Sequence, residues 1–240
     1  MTDTESLIRT LDAAESTPDA VRLRGRTYEL LRPAGGALVA DVGCGTGRAV
    51  AELAGLGARA VGVDGDGTML AAARERFPGI DVRAGDAAAL PFEAGELRGY
   101  RADKLFHLLP DPDFALAEAR RVLAPGGRIV LVGQDWDTIV IDSDRPATTR
   151  AIVHARADAL PRPRAARAYR NLLLDAGFGD TSLEVHTAVF TDAAVLPWLT
   201  RLAGSVGADE AGPWLADQAR RAEAGRLMVA LPMFVAAATR

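Results

Sequence analysis

The stretch Leu38-Val39-Ala40-Asp41-Val42-Gly43-Cys44-Gly45-Thr46-Gly47 decides the fold of this chain. A mostly apolar run that is typical of a buried strand leads directly into three alternating glycines. Glycine has no Cβ and adopts positive φ, so the backbone can turn sharply and a ligand can lie against bare peptide groups. The next apolar run ends in Val61-Gly62-Val63-Asp64, which places an acid at the end of a second strand. Together the two runs predict an α/β domain that binds a nucleoside.

The spacing of the glycines and acids indicates the class of nucleoside. Asp64 follows Gly43 by about 20 residues, the separation at which an acid in such a unit meets ribose hydroxyls. The order G-x-G-x-G differs from the G-x-G-x-x-G loop that holds the pyrophosphate of dinucleotides. Asp41, just before the turn, suits a ligand that carries an ammonium group as well as a carboxylate. S-adenosylmethionine has such an aminoacyl end, and it is the expected cofactor, with S-adenosylhomocysteine as the product.

Four elements in order resemble the class I S-adenosylmethionine-dependent methyltransferases. They are the loop Asp41–Gly47 as motif I, Asp64 as the ribose-binding acid, Gly85-Asp86-Ala87 as the turn on the adenine side, and Arg120–Arg128 before the fifth strand. This resemblance spans about residues 35–135. The pattern of the whole chain, with Asp135-Trp136-Asp137 and Ala176-Gly177-Phe178, is similar to ubiquinone-biosynthesis-like and bacterial natural-product methyltransferases. It implies a Rossmann-like sheet of seven strands in the order 3-2-1-4-5-7-6 with a helical lid.

The alternation of apolar patterns predicts a doubly wound α/β fold. The predicted strands cover residues 37–42, 59–63, 80–84, 97–104, 128–132, 183–190 and 226–236. The predicted helices cover residues 4–14, 19–31, 47–56, 68–76, 113–123, 162–176, 193–202 and 213–224. We expect one domain over residues 1–240, with residues 1–32 as lid helices and residues 134–176 and 191–225 as substrate-side and carboxyl-terminal additions.

The composition excludes several classes of partner. The chain has 240 residues, a formal net charge of -4 and one cysteine, which gives no general field that attracts nucleic acid and no disulfide framework. The acidic, polar amino terminus and the lack of a long apolar segment lead us to expect a cytoplasmic protein that does not bind membranes. The expected partner is a small-molecule substrate, and the expected assembly is a monomer or homodimer.

The residues expected to bind the cofactor lie at the ends of predicted strands or in the turns that follow: Asp41, Gly43, Cys44, Gly45, Gly47, Asp64, Gly65, Met69, Gly85, Asp86, Ala87 and Arg101. Several have plainer alternatives. Asp64 and Asp86 can cap the next turn, and Cys44 can be a small side chain that fills a tight loop. Arg101 can bind the aminoacyl carboxylate of the cofactor, bind an anionic substrate, or pair with Asp103.

The acceptor side is expected after strands four and five. His107 and Asp135 are candidate catalytic residues, because a neutral imidazole or a carboxylate can remove a proton from the acceptor. His107, Trp136 and His154 are candidate substrate-binding residues. The alternatives are a loop-holding hydrogen bond for His107, core packing for Trp136 and a solvated helix position for His154. The sequence contains no H-E-x-x-H motif and no paired cysteine ligands, so we expect no catalytic metal.

The sequence therefore predicts transfer of a methyl group from S-adenosylmethionine to an oxygen, nitrogen or carbon nucleophile of a small molecule in natural-product biosynthesis. One alternative is an enzyme of the same fold that binds the cofactor but performs a reaction other than methyl transfer. A second alternative is a cofactor-binding regulator without turnover.

Overall fold

The computed structural model describes residues 15–240. The predicted helix over residues 4–14 lies outside them. The strands are β1 (Leu38–Val42), β2 (Arg59–Asp64), β3 (Asp81–Ala84), β4 (Leu97–Asp103), β5 (Leu123–Gln134), β6 (Val140–Ile141), β7 (Gly179–Phe190) and β8 (Val229–Thr239). The α-helices are α1 (Pro18–Leu31), α2 (Arg48–Gly55), α3 (Gly67–Arg76), α4 (Pro112–Val122), α5 (Pro146–Asp158), α6 (Ala165–Asp175), α7 (Leu196–Ala203) and α8 (Ala208–Glu223). Single 3₁₀ turns cover Trp136–Thr138 and Ala193–Val195.

The strands form one mixed sheet in the order β3-β2-β1-β4-β5-β8-β6, with β7 also paired to β8. Neighbours from β3 to β5 are parallel, whereas β8 is antiparallel to β5, β6 and β7. The final strand, β8, therefore lies between β5 and β7. The predicted order 3-2-1-4-5-7-6 likewise places the last strand between the fifth and the sixth. The short β6 was not predicted as a separate sheet strand.

Helices cover both faces of the sheet, which confirms the doubly wound architecture. On one face, Tyr28 and Leu31 of α1 pack with Leu53 of α2 against Val39 and Val235. The opposite face is covered by α4 and α6, whose buried residues include Leu116 and Leu173. Because α1 is one of these layers, residues 18–31 of the predicted lid belong to the packed core of the fold.

A third cluster of buried side chains, formed by α5, α7 and α8 around Trp136 and Trp214, lies beyond β5. The sequence suggested a helix position for His154 but did not predict the bounds of α5. Among its buried residues only Ile152 and Val153 are large and apolar, so its helical periodicity is weak. Packing within the third cluster stabilises it instead. Among residues 15–240, no helix is long and apolar enough to cross a membrane.

Candidate functional site

The glycine loop, Gly43–Gly47, connects β1 to α2 at the carboxyl edge of the sheet. Gly43, Gly45 and Gly47 have φ values of 71°, 51° and 80°, a region that favours glycine. The N–H of Gly43 donates to the carbonyl of Val63 at 2.7 Å, which fixes the loop over the end of β2. A Cβ at Gly47 would lie 2.7 Å from Cδ1 of Ile80, whereas one at Gly45 would meet no heavy atom within 4 Å. The loop is thus closely packed at Gly47 and open at Gly45.

Cys44 fills the interior of this loop. Its side chain is buried, and its Sγ would lie 2.7 Å from a Cβ placed at Gly62, so the sulfur occupies the space that this glycine leaves free. Burial raises the pKa of the thiol far above its ordinary value, and the charges of Asp41 and Asp64 raise it further. These observations favour the space-filling interpretation of Cys44 over a reactive thiol.

Asp64 lies beside the glycine loop. Its Oδ2 accepts a hydrogen bond from the N–H of Gly45 at 2.8 Å, and its Oδ1 accepts one from the N–H of Asp66 at 2.9 Å. The carboxylate therefore joins the glycine loop to the turn that opens α3. Each oxygen keeps a further lone pair, so the group can also accept from two hydroxyls of a bound ribose.

The turns after β2 and β3 lie side by side. A Cβ at Gly65 would lie 3.8 Å from the carbonyl oxygen of Gly85, and one at Gly85 would lie 2.8 Å from Cγ1 of Val63. A side chain at Gly85 would therefore press against Val63 of β2. Ala87 is buried next to this turn.

Asp86 and Met69 flank these turns. Asp86 is exposed, and its Oδ1 accepts from the N–H of Ala88 at 2.8 Å, which is the turn-capping contact that the sequence offered as an alternative to adenine binding. Met69 is half-buried, whereas Leu70 is buried between α3 and the sheet. Of the two apolar side chains, Met69 is thus the one that remains available to a ligand.

The structure corrects the assignment of Arg101 to cofactor contact. The side chain is only 2% exposed. Its Nε donates to Oγ1 of Thr27 at 3.0 Å, its Nη1 to Oδ1 of Asp41 at 2.6 Å, and its Nη2 to Oδ2 of Asp103 at 2.8 Å. Every guanidinium nitrogen therefore has a protein partner, and pairing with Asp103 is the alternative that the structure shows. Burial raises the pKa of Asp41, and the charge of Arg101 opposes that shift.

His107, Trp136 and Arg156 form what we call the acceptor cluster. The His107 and Trp136 rings are both 6% exposed, and their centroids lie 5.5 Å apart with an angle of 56° between the planes. The guanidinium carbon of Arg156 lies 4.9 Å from the centroid of the Trp136 ring. Among residues 15–240, neither His107 Nδ1 nor Trp136 Nε1 has a hydrogen-bond partner. The cluster thus contains two buried nitrogens that a ligand can satisfy.

The surroundings of His107 keep its imidazole neutral. Burial, together with the positive charges of Arg156 and Lys104, lowers the pKa of His107 to about 4. A neutral ring has one nitrogen that accepts a hydrogen bond and one that donates. At this pKa the imidazole is a weak base. It is therefore better suited to orienting the methyl acceptor by a hydrogen bond than to removing a proton from it.

The structure also corrects Asp135 as a candidate base. Its side chain is fully buried, accepts from the N–H of Asp137 at 3.1 Å, and is paired with Arg167, whose Nη2 lies 2.8 Å from Oδ1. The carboxylate thus caps the 3₁₀ turn that carries Trp136 and neutralises an arginine of α6. These contacts position Trp136 and leave Asp135 without access to an acceptor.

His154 is exposed on α5, which is the solvated helix position that the sequence offered as the alternative. The structure therefore does not place His154 in the acceptor cluster. Arg156, two residues further along the same helix, does reach Trp136. Sequence reasoning missed Arg156 because its contact depends on how α5 packs against the segment after β5.

Comparisons with known proteins agree with this geometry. Residues 40–131 match the family model described as a methyltransferase domain. A 37.1 kDa protein encoded in a transposon of Streptomyces fradiae is 35% identical over 190 residues, covering 76% of this chain and 55% of that protein. An O-methyltransferase of Penicillium expansum is 34% identical over 158 residues, covering 62% and 54%. The chain thus spans about half the length of these curated relatives.

A solved structure covers more of the fold. The crystal structure of a candidate methyltransferase from Bacillus halodurans matches with a TM-score of 0.67 and 19% identity, over 90% of this chain and 97% of that one. The sheet order, the glycine loop and the matched domain all lead to the same family. Residues 40–131 are a methyltransferase domain, and the fold is similar to that of the class I S-adenosylmethionine-dependent methyltransferases.

Proposed function

We propose that this protein transfers the methyl group of S-adenosylmethionine to an oxygen, nitrogen or carbon nucleophile of a small molecule in natural-product biosynthesis. The observation that carries the proposal is the open side of the glycine loop at Gly45, directly beside the Asp64 carboxylate. The O-methyltransferase of Penicillium expansum, which is similar to this chain over 158 residues, supports an acceptor of this class.

The residues around the loop fit the cofactor. The bare backbone at Gly45 leaves room for the ligand, and Asp64 retains lone pairs for the ribose hydroxyls. Met69 and Asp86 flank the space expected for adenine, as an apolar and an acidic side chain. When bound, the cofactor supplies a methyl group that its sulfonium has already activated. The protein then has to align the two reactants and exclude water, and positioning alone can lower a barrier by roughly 7–11 kcal/mol.

The acceptor cluster supplies groups for that alignment. The neutral His107 ring can accept a hydrogen bond from a hydroxyl or amine of the acceptor, and the indole N–H of Trp136 can donate one to an acceptor oxygen. Both nitrogens are buried without a partner among residues 15–240. Because an unsatisfied buried polar group costs about 1–3 kcal/mol, binding of a small polar molecule here would recover part of that cost.

Calorimetric titration with S-adenosylhomocysteine tests the cofactor site. We expect Asp64→Asn to weaken binding by about tenfold or more, because a charge-assisted hydrogen bond contributes roughly 1.5–3 kcal/mol. Glu75→Gln is the matched control, since Glu75 is exposed on α3, the helix that follows Asp64, and the change also removes one negative charge. Equal affinities of both variants and the unmodified protein would remove Asp64 from the site.

Turnover with S-adenosylmethionine labelled in its methyl group tests the reaction. The protein is incubated with a panel of phenols, amines and activated ring-carbon acceptors, and both label and S-adenosylhomocysteine are quantified. We expect label in an acceptor and an equal amount of S-adenosylhomocysteine. Conversion of an acceptor without label would instead indicate a reaction other than methyl transfer. Tight cofactor binding without turnover of any acceptor would favour a regulator.

A further inference from the structure

The carboxylate that the sequence places before the glycine loop is already engaged by the protein. Asp41 is 4% exposed, and its Oδ1 accepts from Arg101 at 2.6 Å. Arg101 also pairs with Asp103, but Asp103 is 13% exposed, so Asp41 is the less accessible of the two carboxylates. The ammonium group at the aminoacyl end of the cofactor therefore needs another acidic partner.

Asp103 and Lys104 lie next to the loop on the neighbouring strand. In the parallel pairing of β1 with β4, Val42 is level with Ala102, so Asp103 follows level with Gly43. The side chain of Leu105 also borders the loop, because a Cβ at Gly43 would lie 3.1 Å from its Cδ1. Residues 103–105 thus form one wall of the space at the start of the glycine loop.

Asp103 and Lys104 form an ion pair that is more accessible than Asp41. The Lys104 Nζ lies 3.0 Å from Oδ1 of Asp103, and the two side chains are 37% and 13% exposed. The backbone N–H of Lys104 donates to the carbonyl of Val132 at 2.8 Å, which fixes the start of this side chain. One negative and one positive side chain next to each other are complementary to a zwitterion, which carries an ammonium group and a carboxylate close together.

We propose that Asp103 binds the ammonium group and Lys104 the carboxylate of the aminoacyl end of S-adenosylmethionine. This assignment rests on the proposed function of the glycine loop as the cofactor site. On binding, the ligand ammonium takes the place of Nζ at Oδ1 of Asp103, and Nζ turns to the ligand carboxylate. One ion pair becomes two, and no charge is left without a partner. Arg101 continues to hold Oδ2 of Asp103 in place.

Two probes separate this subsite from the rest of the cofactor site. S-adenosylhomocysteine carries the aminoacyl end, whereas 5′-methylthioadenosine has the adenine, ribose and sulfur but no amino acid. By calorimetry, we expect Asp103→Asn and Lys104→Gln each to weaken binding of S-adenosylhomocysteine by roughly tenfold, while the affinity for 5′-methylthioadenosine stays within about twofold. Arg98→Gln is the control, because it removes a positive charge from the exposed, opposite end of β4.

A chemical footprint of the unmodified protein gives a second measurement that needs no folded variant at Asp103. Lys104 is the single lysine of the sequence, so acylation by an N-hydroxysuccinimide ester, followed by mass spectrometry of the peptide that contains it, reports this amine alone. We expect saturating S-adenosylhomocysteine to slow its acylation severalfold and 5′-methylthioadenosine to leave the rate unchanged.

The outcomes distinguish this subsite from the cofactor site as a whole. Unchanged affinity of Lys104→Gln for S-adenosylhomocysteine, equal losses for the two probes, or equal protection by both would overturn the assignment of Asp103 and Lys104 while the cofactor site stands. If the unmodified protein binds neither probe, the proposed cofactor site itself is wrong, and the subsite is wrong with it.

Discussion

The glycine loop and the turns that carry Asp64 and Asp86, which we call the cofactor edge, satisfy their polar groups in a different way from the acceptor cluster. At the cofactor edge, Asp64 and Asp86 accept from backbone N–H groups of nearby turns. In the acceptor cluster, Nδ1 of His107 and Nε1 of Trp136 are buried without partners among residues 15–240. At the cofactor edge, these carboxylates are thus already hydrogen-bonded in the free protein and in place for a ligand. The acceptor cluster carries an energetic cost that a ligand can relieve, and this difference can be tested in each region separately.

The largest effect is expected at the cofactor edge, from Gly47→Ala. The new Cβ would lie 2.7 Å from Cδ1 of Ile80 and 3.0 Å from Cβ of Ala73, at a φ of 80°. Backbone strain and overpacking together should lower the free energy of unfolding by roughly 2–4 kcal/mol. Urea unfolding at pH 7 measures this loss.

Gly45→Ala is the matched control in the same loop. Its φ is 51°, but the added Cβ meets no heavy atom within 4 Å. We expect a loss of about 1 kcal/mol from backbone strain alone, together with a clear loss of S-adenosylhomocysteine affinity, because the methyl group enters the open side of the loop. Equal stability losses for the two variants would contradict the difference in packing between Gly45 and Gly47.

The strands and turns of the cofactor edge could be predicted from the sequence because their contacts are local or follow from the parallel sheet. The glycine spacing, Asp64 and the strand order all follow from a regular alternation of strands and helices. Asp41 and Arg101 mark the limit of this reasoning. Each lies near the carboxyl end of its strand, where a ligand is expected, but the sequence did not show that the two side chains neutralise each other.

The acceptor cluster was harder to predict because tertiary packing creates it. The sequence suggested His107 and Trp136 from their places after β4 and β5, but it offered Asp135 as a base although Arg167 pairs with it. It also suggested His154 as a substrate-binding residue, whereas Arg156 on the same helix is the residue that contacts Trp136. These differences depend on how α5 and α6 pack beyond β5, and the irregular pattern after Gly133 contains little information about that packing.

The next largest effect concerns the burial of His107 and appears in the pH dependence of stability. The pKa of His107 is lowered to about 4 in the folded protein, whereas the unfolded value is about 6.5. Between these values the unfolded chain binds the proton and the folded chain does not, so stability falls as the pH decreases. We expect this residue to account for a loss of about 2 kcal/mol between pH 7 and pH 5.

His107→Gln isolates that contribution, since other groups also titrate in this range. Urea unfolding of both proteins at pH 7 and pH 5 should show a smaller loss for the variant by about 2 kcal/mol. The same pH dependence in both proteins would mean that His107 takes up its proton in the folded state, and the cluster would then not hold a neutral imidazole.

The smallest effect is expected from Arg156→Gln, with His154→Gln as the control on the same helix. Arg156 lies over the Trp136 ring, and such a cation–π contact contributes roughly 0.5–1 kcal/mol at an accessible site. Its charge also lowers the pKa of His107, so its removal should raise that pKa and reduce the loss of stability between pH 7 and pH 5. His154 is exposed, and its substitution should change stability by less than about 0.5 kcal/mol at either pH. If the pH dependence of stability changes equally in both variants, the charge of Arg156 does not contribute to keeping His107 neutral.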